Sequence, residues 1–153
     1  DNRFMVILGY KYSGTNFQAA LLLNQLKRIE NQYKKRKKLW HYYAKKFIAS
    51  GINFPKIVPN SKHAYHMFVV WVDATKRDKI RARLERVGVQ TSIHYDPIHL
   101  EPYYKKTFGY KKGDFPIAER LGFGTITLPL HLKFSRREQD YVIEKVIETT
   151  KRI

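Results

Sequence analysis

Residues Tyr65 to Val72 read YHMFVVWV, a run of aromatic, β-branched and apolar residues with His66 as its one polar interruption. A strand with one wet face alternates apolar and polar residues, and this run does not. It predicts a strand covered on both faces or nearly so, the central strand of the fold. Upstream, Gly51 to Lys62 carries Asn53, Pro55, Pro59 and Asn60 and reads as a connecting loop. Before it, Thr15 and Gln18 fit a capping box, which starts a helix near Asn16. Leu22, Leu26, Ile29, Tyr33, Trp40, Ala44 and Phe47 then recur at three- and four-residue spacings, with Lys34, Lys35, Lys37 and Lys38 mostly on the remaining face. The pattern predicts one long amphipathic helix ending near Gly51, kinked or broken somewhere along its length.

Downstream, Thr75 precedes a helical pattern over residues 76–87, in which Ile80, Leu84 and Val87 share a face and Gly88 is the stop. Residues 89–94 predict a second strand. Residues 95–113 are aromatic, proline-bearing and irregular, with a helical turn at 102–106. A short helix at 116–121, a short strand at 125–128 stopped by Pro129, and a helix from Ser135 to Ile153 complete the chain. Ser135 with Glu138 caps that helix, and Tyr141, Val142, Lys145, Val146 and Thr149 continue it. Strands alternating with helices across uneven loops predict an α+β domain: a small antiparallel or mixed sheet with helices packed on one side. Residues 2–8 form an apolar run that reads as the tail of an element beginning further upstream.

At 153 residues, with 43% hydrophobic and 14% aromatic content, the chain suffices for one domain with a real core. It has no apolar stretch near the ~20 residues of a membrane helix, and Asp1, Asn2 and Arg3 do not open a signal peptide. A soluble, cytoplasmic protein is expected. The absence of cysteine excludes disulfides, thiolate nucleophiles and cysteine-ligated zinc. Lys and Arg number 30 against 13 Asp and Glu, a formal charge of +17 that attracts anions. Nucleic acid, acidic membrane and phosphorylated small molecules all fit that charge. So does a chain whose basic helix faces are simply solvated.

No serine stands in a G-x-S-x-G elbow, and neither phosphate-loop nor dinucleotide-binding glycine motifs are present. Gly122, Phe123 and Gly124 supply two glycines without the context of a phosphate loop. His63 with His66, and His94 with His99, have no carboxylate cluster nearby in sequence to complete a metal site. The second pair frames SIHYDPIHLEPYY, where Tyr95, Pro97, Tyr103 and Tyr104 predict a polar and aromatic surface just past a strand end. That surface either closes the domain edge or contacts a sugar or phosphate. The run KKRKK at 34–38 lies in the long helix and is expected to be a solvated face rather than a nucleic-acid contact.

Two segments resemble the DegT-type family of nucleotide-sugar aminotransferases, enzymes that depend on pyridoxal phosphate (PLP). GYKYSGTNFQAALLLNQL, residues 9–26, is similar to the family's G-Y-N-Y-R-x-[ST]-[ND]-x-Q-A-A pattern. GVQTSIHYDPIHLEPYYKKTFGYKKGDFPIAERL, residues 88–121, with TLPLH at 127–131, matches further on. The resemblance implies the C-terminal domain of a fold-type I PLP enzyme. Residues 1–15 would be the tail of a missing large domain and its connector, and 16–153 the small domain. In the family a lysine forms the Schiff base upstream of the GYNYR-like motif. No lysine here stands in such a context, so transamination by this chain alone is not expected and no catalytic residue is assigned.

By resemblance, Lys11 takes the place of an asparagine that reaches the cofactor phosphate. Ser13 replaces an arginine, removing a charge-assisted substrate contact. Tyr12, Ser13, Asn16, His94, Tyr95 and His99 form the implied substrate-binding set, with His94 and Tyr95 matching the family's H-Y pair. The implied partners are a nucleotide sugar, glutamate, the missing N-terminal domain and a second subunit in a homodimer. The rival reading is a stand-alone basic binding module for nucleic acid or an acidic partner.

Overall fold

A computed structural model of the chain describes Gly9 and residues 14–152. Lys11, Tyr12 and Ser13 lie outside the described residues, as does the apolar run at 2–8. The elements run α1 (Asn16–Leu26), α2 (Ile29–Ser50), β1 (Phe68–Trp71), α3 (Arg77–Arg86), a 3-10 turn (Ile98–Leu100), α4 (Pro102–Phe108), α5 (Pro116–Gly124), β2 (Thr125–Leu128) and α6 (Arg136–Lys151). β1 and β2 pair antiparallel, with Phe68 opposite Leu128 and Val70 opposite Ile126. These four side chains share one face and are buried against Trp40, Tyr43 and Phe47 of α2, Ile80 and Leu84 of α3, and Val142, Ile143 and Val146 of α6. The architecture is the expected α+β one, a small sheet with its helices on one side.

Several elements are shorter than their sequence pattern. The YHMFVVWV run becomes a strand only at Phe68, because Tyr65 sits at φ 50, in the left-handed region, and leaves extended geometry. Tyr65 is nevertheless buried, its ring 5.7 Å from Trp40 and 5.4 Å from Tyr33. The predicted strand at 89–94 reduces to one bridge, in which Ser92 N–H donates to Thr127 O at 3.1 Å and Thr127 N–H to Ser92 O at 2.8 Å. Its first residue is already committed, since Val89 N–H closes α3 by donating to Leu84 O at 2.9 Å. A second bridge, Asn53 to Trp71, flanks β1 on its other edge.

The long helix breaks in two at Lys27 and Arg28. The Thr15–Gln18 capping box is present at its start, and Gly51 ends it at φ 72. Only the C-terminal half of the apolar stripe finds a core. Phe17, Leu21, Leu22, Leu23, Leu26 and Ile29 are each at least 50% exposed, and α1 buries no residue. At α3 the entry is organised by Asp73 rather than Thr75: its carboxylate accepts from Thr75 N–H (2.8 Å) and Oγ1 (2.6 Å), which holds it below the usual carboxylate range.

α2 and α6 are joined by polar contacts at the rim of the core. Gln139, fully buried, donates Nε2 to Leu39 O at 2.7 Å. Tyr42 donates to Asp140, and the Arg136 guanidinium lies 3.4 Å from the Tyr42 ring centroid. Tyr43 donates to Pro129 O at 2.9 Å, and burial pushes its phenol well up. Phe68→Ala, which empties the centre of this core, is expected to cost about 3–5 kcal/mol. Leu22→Gln, on the uncovered face of α1, is expected to change the stability of the chain by less than about 0.5 kcal/mol. Urea unfolding followed by tryptophan fluorescence measures both.

Candidate functional site

The segment from Ser92 to Glu101 starts at the β2 edge, through the Ser92–Thr127 bridge, and is tied down at several points. His94 places Nδ1 2.9 Å from Thr127 Oγ1 on β2, and the His94–Tyr95 peptide bond is cis. Asp96 accepts from Arg77 Nη1 at 2.8 Å, and the same nitrogen reaches Gly122 O at 3.4 Å. The Arg77 side chain is 12% exposed and that of Asp96 38%, so the guanidinium is shielded while its carboxylate partner still meets water. Pro97 is buried against α5. A Cβ on Gly122 would stand 2.9 Å from Pro97 Cδ, and one on Gly124 would stand 2.4 Å from Val72 O. Both glycines are therefore explained by close packing, which removes the reason to read them as a phosphate loop.

His99 is 5% exposed and places Nε2 2.9 Å from Glu119 Oε1. Its ring meets Phe115 edge-on at 4.8 Å. Glu119 also accepts from Gly113 N–H at 2.7 Å. Burial pushes the Glu119 carboxyl up, but the bonds from Gly113 and His99, with backbone help from Phe115, outweigh it and hold the group below its usual value. Tyr95 is the opposite case. It stands 75% exposed between two anchored neighbours, its ring edge-on to His94 at 5.0 Å.

Of the residues singled out from sequence, His94, Tyr95 and His99 thus belong to one segment, but only Tyr95 is displayed, and His99 is buried beside Glu119 and Phe115. Asn16 is exposed at the start of α1, in a groove of about 640 Å³ lined with Thr15, Gln18 and Leu22 and by no residue of the 92–101 segment. Sequence reading missed Arg77, Asp96, Glu119 and Thr127. Their partners lie 19, 20 or 33 residues away, so no local spacing could reveal them. It also missed a cleft of about 650 Å³ between residues 88–92, the end of β2 and α6, lined by Gln90, Ser92, His131, Phe134, Arg137 and Tyr141 among others.

His63 serves the core, accepting from Tyr65 N–H at 3.2 Å beside the Trp40 ring. Among the described residues no group of three His, Cys, Asp or Glu side chains could hold a metal ion. No helix among them is long and apolar enough to cross a membrane. Lys34, Lys35, Lys37 and Lys38 are exposed on α2, as a solvated face and a contact surface both require.

Fold and loop together define the class: the C-terminal part of a fold-type I aminotransferase. The chain belongs to the DegT/DnrJ/EryC1/StrS aminotransferase family, whose model matches residues 1–147. It is 39% identical over 150 residues to protein MJ1066 of Methanocaldococcus jannaschii, covering 95% of this chain and 38% of that one. It is 37% identical over 149 residues to the spore coat polysaccharide biosynthesis protein SpsC of Bacillus subtilis, covering 94% and 38%. The PLP form of the putative sugar aminotransferase Spr1654 from Streptococcus pneumoniae superposes with a TM-score of 0.85 at 29% identity, over 96% of this chain and 38% of that one. The chain therefore spans about 38% of the length of the relatives it matches.

The depressed Glu119 carboxyl has a definite sign. Its stabilisation is present above the unfolded value of 4.5 and is lost as pH falls through the lower folded value. Glu119→Gln is accordingly expected to lower Tm near neutrality, with the gap from wild type closing as pH falls below 4.5 and through the depressed folded value. Calorimetric scans across that range check it, and a gap that widens toward acid would contradict the assignment.

Proposed function

We propose that this chain forms the small domain of a PLP-dependent enzyme that transfers an amino group from glutamate to a keto-sugar nucleotide, in polysaccharide or cell-surface sugar synthesis. The family match over residues 1–147 carries the reading. The +17 charge and the displayed Tyr95 agree with an anionic, ring-bearing substrate. In this reading residues 1–15 are the connector and residues 16–153 the domain. The uncovered apolar face of α1 is where the larger domain rests. The enzyme is a cytoplasmic homodimer.

PLP supplies the electron sink that such a transfer requires, attached through a lysine. The described residues do not fit that attachment. A lysine that attacks a carbonyl needs a lowered pKa in a dry site. Every described lysine is exposed except the half-buried Lys145, which Glu144 (2.8 Å) and Glu148 (3.2 Å) push up. In this reading the described residues contribute one wall of the binding site, the 92–101 segment with its exposed Tyr95. Lys11, as a point charge, is the proposed contact to the cofactor phosphate, and Tyr12, Ser13, Asn16 and His94 complete the proposed substrate set, with the buried His99 supporting it through the segment it anchors.

The test uses the full-length polypeptide that contains this chain, beside the 153-residue chain alone. With PLP and borohydride, the full-length protein is expected to retain cofactor covalently and to aminate a keto-sugar nucleotide from glutamate, whereas the chain alone retains none. Covalent retention by the chain alone would overturn the reading. A salt-dependent gel shift with nucleic acid, in place of amination, would favour the basic binding module, which the exposed α2 lysines support.

A further inference from the structure

Tyr95 is the most exposed large side chain of the 92–101 segment, yet its neighbours on both sides are fixed. His94 is held to β2 through Thr127 (2.9 Å), and Asp96 is held to α3 through Arg77 (2.8 Å). Three residues on, His99 is buried and held to α5 through Glu119 (2.9 Å), whose carboxylate also binds Gly113 N–H (2.7 Å). An exposed aromatic on a free loop samples many orientations, and ordering it on binding costs side-chain entropy. A loop fastened to a strand and two helices is already ordered. Closing the domain edge would need no such fastening around an aromatic that stays 75% exposed.

We infer that Glu119 and Arg77 are positioning residues, which act through His99 and Asp96 to hold Tyr95 as a fixed aromatic face for a ring of the bound ligand. The inference rests on the binding-wall reading above and adds what fixes the wall. Neither carboxylate nor guanidinium touches the ligand. Their effect travels through the loop, so losing them loosens binding and leaves the chemical step alone.

Two variants test it, Glu119→Ala and Asp96→Ala, the second at a half-exposed side chain whose partner Arg77 keeps a second carboxylate, Asp78, at 3.0 Å. The reporters are the amides of Leu100 and Glu101, which donate to Pro97 O (2.9 Å) and Ile98 O (3.1 Å) within the turn. Hydrogen exchange in the 153-residue chain is expected to speed up at both amides by about tenfold, the factor that one lost hydrogen bond represents, with α6 amides unchanged. In the full-length enzyme, KM for the keto-sugar nucleotide is expected to rise by a similar factor while kcat stays within about twofold. Asp96→Glu is expected to restore both readouts. If Glu119→Ala unfolds the chain, Asp96→Ala decides alone. Unchanged exchange at Leu100 and Glu101 overturns the clamp, and an unmoved KM overturns the role given to Tyr95. A full-length polypeptide with no amination at all removes the proposed function, while the exchange result still judges the clamp.

Discussion

The pairing of β1 with β2 is the constraint on which the rest of the domain depends. It joins residues 68–71 to residues 125–128, and the chain between them leaves the sheet at Trp71, touches its β2 edge once at Ser92, and returns for good at Thr125. One face of the pair, Phe68, Val70, Ile126 and Leu128, closes the core under α2, α3 and α6. The other carries Thr127, whose hydroxyl fixes His94. A four-residue strand therefore serves both the hydrophobic core and the candidate site, and its register sets both. Slipping it by one residue would turn Ile126 outward and Thr127 inward, because strand side chains alternate with a period of two.

How legible a feature was in the sequence depended on its range. The Thr15–Gln18 and Ser135–Glu138 capping boxes are three-residue motifs whose partners are fixed by helix geometry, and both are present. The strand at Thr125–Leu128 was bounded correctly because Pro129 ends it. YHMFVVWV misled on length. Its apolar character comes from burial of Tyr65 in an aromatic cluster, and burial does not require strand geometry. The α1 stripe misled on packing, since periodicity marks a face to be covered and does not say by what.

The site was legible only as a neighbourhood. SIHYDPIHLEPYY stood out by composition, and His94 and Tyr95 by resemblance, yet the contacts that give them different roles are tertiary. His99 looked like the equal of His94 until Glu119 was found beneath it. Gly122 and Gly124 looked like a weak phosphate loop and are instead places where Pro97 and Val72 come too close for a side chain. Their meaning lies in atoms 25 and 52 residues away in the chain, so no reading of GFG alone could supply it.

The bare face of α1 sets the colloidal behaviour of the chain. Its five large apolar side chains in the open, Phe17, Leu21, Leu22, Leu23 and Leu26, would draw two copies together, while a formal charge of +17 on each copy drives them apart. The two act over different distances. Repulsion reaches about one Debye length, which shrinks from about 30 Å at 0.01 M salt to about 8 Å at physiological strength. Apolar contact is short-ranged and is not screened. In isolation the domain is thus kept dispersed by its charge, and added salt removes that protection first.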